Sequence, residues 1–162
     1  MAVGLGACSS PPAGTPIPPR TPFSKMVWND EFDGPMGASV DKARWHHEIG
    51  PWPFNEELQS YTDSPRNIAL DGQGNLVITA LREAKDGVEY TSARIDTRSS
   101  LETTYGRIEA RIKMPQGQGL WPAFWMLGND REEKGWPECG EIDIMEFAGG
   151  SPTVITGSLH GP

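Results

Sequence analysis

The sequence predicts an all-β protein, a sandwich or jelly roll, and three observations carry that prediction. Apolar residues recur with period two rather than 3.6. Gly and Pro are plentiful, at 19 and 15, and clusters of Gly, Pro, Asn, Asp and Ser break the chain between apolar runs. No stretch with helical periodicity intervenes between those runs, which points to a sandwich or jelly roll.

Strands are expected near residues 26–32, 67–70, 75–83, 88–97, 105–114, 120–127, 141–147 and 153–159. In "NLVITALRE" a β-rich run lies between "DGQG" and "KDGVE", and Asp86-Gly87 is a hairpin signal because Gly tolerates positive φ. In "YGRIEARIKMP", Arg107, Glu109, Arg111 and Lys113 alternate with Ile108, Ala110, Ile112 and Met114, giving one wet face and one dry face. The chain stops at "VITGSLHGP", in a strand that does not close a domain, so the expectation is a fragment of a longer sandwich.

Composition narrows the function. The formal charge of −8 and the lack of a Lys/Arg cluster exclude a nucleic-acid partner. No stretch is long and apolar enough to span a bilayer. The two cysteines, Cys8 and Cys139, make neither a metal-ligand pattern nor a disulfide framework. Leu5-Gly6-Ala7-Cys8 resembles a bacterial lipobox, with Cys8 as the lipidated residue and possible point of membrane attachment, although a basic n-region and a long apolar stretch do not precede it. The Ser/Pro-rich run that follows reads as a semi-rigid spacer. Residues 1–21 are therefore expected to lie outside the fold, and residues 22–162 to form it.

"EIDIME" carries the chemistry. Alternation puts Glu141 and Asp143 on one face and Ile142 and Ile144 on the other. A regular strand would then drive Glu146 into the core, where an unpaired charge is costly. One extra residue near Met145, a β-bulge, returns Glu146 to the acidic face. Glycoside hydrolysis needs such a set: one carboxylate as nucleophile and one carboxylic acid as proton donor, about 5–5.5 Å apart in retaining enzymes. Asp143 can orient Glu141 and raise the pKa of a neighbouring acid. Met145 and Phe147 flank Glu146, and their apolar surroundings are expected to keep it protonated. An acidic surface or a cation site is the bland alternative for these residues.

Aromatic residues adjoin the acids. "GLWPAFWML" sends Trp121, Ala123 and Trp125 to one face, with small Ala123 opening a gap between two indoles. Trp136 stands in "KGWPECGE", the loop that enters the acidic strand. Indole faces stack on sugar C–H surfaces, and their N–H groups reach hydroxyls.

"GEIDIMEF", preceded by "GLWPAFWML" and "YGRIEARIKMP", resembles glycoside hydrolase family 16, nearest to its bacterial laminarinase-like endo-β-1,3-glucanases. "WNDEFDG", "NEELQSYT" and "SARIDT" extend the resemblance, which runs from about Val27 to the end of the chain. It implies a concanavalin-like β-jelly roll sandwich of two antiparallel sheets with a cleft across the concave one, and a retaining double displacement. Glu141 matches the nucleophile, Asp143 its electrostatic partner and Glu146 the general acid/base. Asn55, Arg94, Trp121, Trp125 and Trp136 fall where that family lines its glycone subsites, and His160 matches a histidine near the leaving-group side. The resemblance further implies a β-glucan polysaccharide as substrate and no cofactor for catalysis. It implies a structural calcium ion held partly by Glu31, a monomer, and a secreted or cell-envelope protein. A non-catalytic carbohydrate-binding jelly roll is the alternative from another class.

Overall fold

The computed structural model describes residues 25–151 and 153–162. Cys8 and the proposed linker lie outside the described residues. In chain order the elements are β1 (His46–Glu48), β2 (Gly50–Pro51), β3 (Gln59–Tyr61), β4 (Ile68–Leu70), β5 (Leu76–Ile78) and β6 (Leu81–Lys85). They continue with β7 (Val88–Ser92), β8 (Arg94–Asp96), β9 (Ala123–Leu127), the single-turn α1 (Arg131–Lys134), β10 (Glu141–Glu146) and β11 (Thr156–His160). The all-β prediction is met. The strands form β11-β10-β9, β2-β3-β7-β6, β1-β8 and β4-β5 ladders. One pair departs from the expected antiparallel pattern, because β3 and β7 run parallel.

The Asp86-Gly87 hairpin is present. Lys85 pairs with Val88, and both turn residues have positive φ, 53° and 85°. The expected strand at 75–83 divides at Thr79, whose N–H and C=O bond to Asn67 across the core. The expected strand at 88–97 divides at buried Ala93, where the chain passes from the β3/β6 ladder to β1. Asn67 and Thr91 are among the most deeply buried side chains. Asn67 accepts from the Thr62 hydroxyl at 2.6 Å and donates to Thr91 Oγ1 at 3.0 Å, so the polar centre is satisfied.

Three expected strands change. Residues 26–32 form none: Asp30 instead accepts from the Phe32 N–H and from the Trp45 indole, both at 2.8 Å, and folds the segment into a turn over Trp45. Residues 105–114 form none either, and all but Met114 are exposed. Their alternation is real, since Arg107 and Glu109 pair at 2.6 Å on one side. A dry face becomes a strand only against a partner, and no strand pairs with this segment among the described residues. The strand expected at 153–159 begins later, at Thr156. β1, β2 and β3 went unanticipated because they are too short to show a period.

The β9–β10–β11 ladder is the part that positions the site. One side carries the acids. On the other, Met145 and Phe147 are buried while Ile142, Ile144 and Leu159 are exposed, Leu159 at 80%.

Candidate active site

Glu141, Asp143 and Glu146 share one face, and a bulge puts them there. Against β9, Asp143 pairs with Trp125 and Met145 with Phe124, which leaves Ile144 as the additional residue. Against β11, Asp143 pairs with Ser158 and Glu146 with Thr156, so Ile144 and Met145 together oppose Gly157. Gly157 makes room for the kink: a Cβ there would stand 3.2 Å from the Asp143 carbonyl oxygen. The Ser158 hydroxyl, level with Asp143, also reaches Glu146 Oε2 at 3.4 Å. That contact fixes both acids on the same side.

Asp143 is buried, and a buried carboxylate needs partners. His160 supplies one, its Nε2 lying 3.1 Å from Asp143 Oδ2. Atoms of Glu141, Asp143 and His160 lie within 4.8 Å of one another. The Glu141 carboxyl is pushed above the usual carboxylate range. Burial is the largest cause, the Asp143 charge the next, and a hydrogen bond between the two carboxyls adds to it. The Trp136 N–H and the charge on His160 act in the opposite direction. The Glu141 carboxyl therefore keeps its proton to a higher pH than it would in water.

Two indoles bracket the row. Trp136 Nε1 donates to Glu141 Oε2 at 2.9 Å, and Trp121 Nε1 donates to Glu146 Oε1 at 3.0 Å. Both rings are more than half exposed, at 57% and 52%, so their faces stay open to a ligand. Ala123 stands opposite Glu146 and leaves the groove clear there. The Trp136 loop is folded by Cys139 N–H to Gly135 O and Gly140 N–H to Pro137 O, both 2.9 Å. It lies so close to the end of β9 that a Cβ on Gly128 would come within 1.9 Å of the Cys139 carbonyl oxygen. Only glycine permits that approach.

The other expected residues divide. Trp125 pairs with Asp143 and is half-buried, its ring 4.6 Å from the Arg94 guanidinium. The Arg94 guanidinium is also 4.0 Å from the Trp52 ring and 6.0 Å from the Tyr61 ring. His160 sits across from Glu141, with its ring 5.7 Å from Trp136. Asn55 is exposed in a turn at φ 58° and bonds to none of the acids. Glu31 is exposed and makes no hydrogen bond or ion pair with the acids of the row. The expected apolar shielding of Glu146 is corrected: Met145 and Phe147 pack on the reverse side of the ladder, because the bulge turns Glu146 away from them.

Sequence reasoning missed Trp52 and Ser158. Trp52 had a usable signal, an aromatic residue between two prolines just ahead of Asn55. Ser158 had none beyond its place in the last strand.

Residues 55–162 match the family model described as glycosyl hydrolases family 16. The chain belongs to glycoside hydrolase family 16. Within this family it is 44% identical over 145 residues to a β-glucanase of Rhodothermus marinus, covering 87% of this chain and 50% of that protein. It is 46% identical over 142 residues to a glucan endo-1,3-β-glucosidase of Cryptopygus antarcticus, covering 83% and 50%. The crystal structure of the Rhodothermus marinus laminarinase matches with a TM-score of 0.79 at 43% identity, over 85% of this chain and 55% of that one. The jelly-roll class expected from the sequence is thereby established. The family 16 chain described here spans about half the length of the curated relatives it matches.

Proposed function

We propose that this chain carries the catalytic row of an endo-acting, retaining glycoside hydrolase. Its substrate would be β-1,3-glucan of the laminarin type or mixed-linkage β-glucan. The observation that supports this most is the bulge, which puts two glutamates of opposite strand parity on one face with an aspartate between them.

In the first step Glu141 attacks the anomeric carbon while the glycosidic C–O bond breaks, and Glu146 gives its proton to the departing oxygen. The product is a glycosyl ester on Glu141. In the second step Glu146 takes a proton from water, the water oxygen attacks the anomeric carbon, and the ester bond breaks with net retention. Trp136 and His160 favour the ionised form that Glu141 needs. Trp121 and Trp136 offer exposed ring faces on which sugars stack.

Glu141→Gln tests the reading against the binding-module alternative. Loss of laminarin cleavage with laminarin binding retained is the expected result. Unchanged cleavage removes Glu141 from the mechanism, and a wild-type chain that binds but never cleaves favours the module. Product analysis on a polysaccharide panel then fixes the linkage.

On the resemblance alone we propose that Glu31 supplies one ligand to a structural calcium ion. Glu31 is exposed and, among the described residues, belongs to neither group that brings three ligating side chains together. No step above uses it. On the Leu5–Cys8 motif alone we propose envelope attachment through a lipid on Cys8. Incorporation of labelled palmitate into wild type but not Cys8→Ser is the test.

A further inference from the structure

The row Trp125–Arg94–Trp52–Arg131 alternates indole and guanidinium. Arg94 lies 4.6 Å from the Trp125 ring and 4.0 Å from the Trp52 ring, and Arg131 stands 5.5 Å from Trp52. Neither arginine has a carboxylate within ion-pair distance among the described residues. By contrast Arg44, Arg66, Arg82, Arg98 and Arg107 all do, while Arg111 donates instead to the Asn75 side-chain oxygen at 3.2 Å. The carboxylates that might have neutralised the pair are occupied. Glu48, level with Arg94 across the β1–β8 ladder, is held by Arg98 at 2.5 Å. Asp130, next to Arg131, is held by Lys134 at 2.5 Å. Glu57 accepts from the Tyr61 hydroxyl at 2.7 Å.

In a chain of charge −8, two unpaired guanidinium groups on one indole need a reason. Stacking covers the flat faces of a guanidinium and leaves its N–H edge free for a forked contact with an oxyanion. The row starts at Trp125, the residue level with Asp143, and α1, which carries Arg131, follows the end of β9 opposite Glu141. It thus leads out of the acidic row at the Glu141 end.

We propose that Arg94 and Arg131 form a subsite for an acidic substituent, a carboxylate or sulfate carried on a sugar ring of the bound glucan. This rests on the same groove being the polysaccharide site. Trp52 gives that ring a stacking surface and the arginine edges select its charge. The exposed acids of α1, Glu132 and Glu133, weaken the field there, so the effect is expected to be moderate and sensitive to salt.

The probe is laminarin partly oxidised at C6 to glucuronate, compared with unmodified laminarin. For the catalytically active protein the quantity read is the ratio of kcat/KM on oxidised to unmodified glucan. Arg131→Gln is expected to lower that ratio about fivefold to tenfold. Arg131→Lys should lower it less, and 0.5 M NaCl should shrink the wild-type ratio. A ratio unchanged by Arg131→Gln overturns the proposal. So does an equal loss on both substrates, which would mark the stack as scaffolding. Native affinity electrophoresis through gels of each glucan reads the same preference without turnover. If the protein cleaves nothing, the hydrolase reading fails while the retardation ratio still decides this one.

Discussion

Glu141 and Glu146 lie at opposite ends of β10 and meet different company. Glu141 stands beside buried Asp143 and across from His160, under the Trp136 N–H, and its pKa is raised by burial and by the neighbouring charge. Glu146 meets an indole N–H and a serine hydroxyl, faces Ala123, and has no carboxylate as its hydrogen-bond partner among the described residues. The acid whose pKa is raised is thus the one read as nucleophile. Two neighbours oppose that rise: the Trp136 N–H and the charge on His160 favour the ionised form a nucleophile needs.

The largest expected effects test the assignment of the two ends directly. Glu141→Ala and Glu146→Ala should each lower kcat on glucan on the order of a thousandfold. Their rescue by azide should differ. With an activated aryl β-glucoside oligomer, Glu146→Ala still forms the ester on Glu141, and azide displaces it to give the β-glycosyl azide. In Glu141→Ala azide takes the carboxylate's place and gives the α-glycosyl azide. Product stereochemistry by proton NMR decides the matter. The same anomer from both variants would erase the distinction between the two ends.

Asp143→Asn comes next, with a loss of about a hundredfold in kcat, within the range usual for a group that assists proton transfer. Its pH profile carries more information. Activity requires ionised Glu141, so a raised pKa means that activity is lost early as pH falls. Asparagine removes the negative charge that helps raise it. The acid limb of kcat/KM should therefore move to lower pH in this variant. A limb that stays in place would mean that Asp143 acts on Glu141 only through position.

How much of this was visible in the sequence depends on the residue. The acidic face was legible because a strand's parity is arithmetic: Glu141 and Glu146 differ by an odd number, so only a bulge can unite them. Gly157, which accommodates that bulge from the next strand, carried no such signal, since a glycine in a strand pattern has several meanings. Residues 105–114 show the reverse case. Their alternation is as clean as that of β10, yet periodicity reports which face is dry and not whether a partner covers it. Trp136 was found from its place in a loop beside the acids. Trp52, far away in sequence, escaped because its contact with Arg94 is made by the fold. The reading that Met145 and Phe147 shield Glu146 failed on direction, as adjacent residues on a strand face opposite ways.

The two indoles allow the finest test, because each serves one end. Each makes a single hydrogen bond to a half-buried carboxylate, worth about 1 kcal/mol, so Trp136→Phe and Trp121→Phe should each cost roughly fivefold to tenfold in kcat/KM. A phenyl ring keeps most of the stacking face, which makes the N–H the main loss. The Trp136 N–H favours ionised Glu141, and its removal lets the pKa rise further. The acid limb should then move to higher pH in Trp136→Phe, opposite in sign to Asp143→Asn. In Trp121→Phe the limb should stay where it is, since that indole bonds to Glu146 alone. Rate profiles across pH 4 to 8 on soluble laminarin measure all three variants together. Opposite shifts from the two neighbours of Glu141, with none from the neighbour of Glu146, would tie the acid limb to one carboxyl. A shift in Trp121→Phe as large as in Trp136→Phe would mean that the two ends titrate as a single unit.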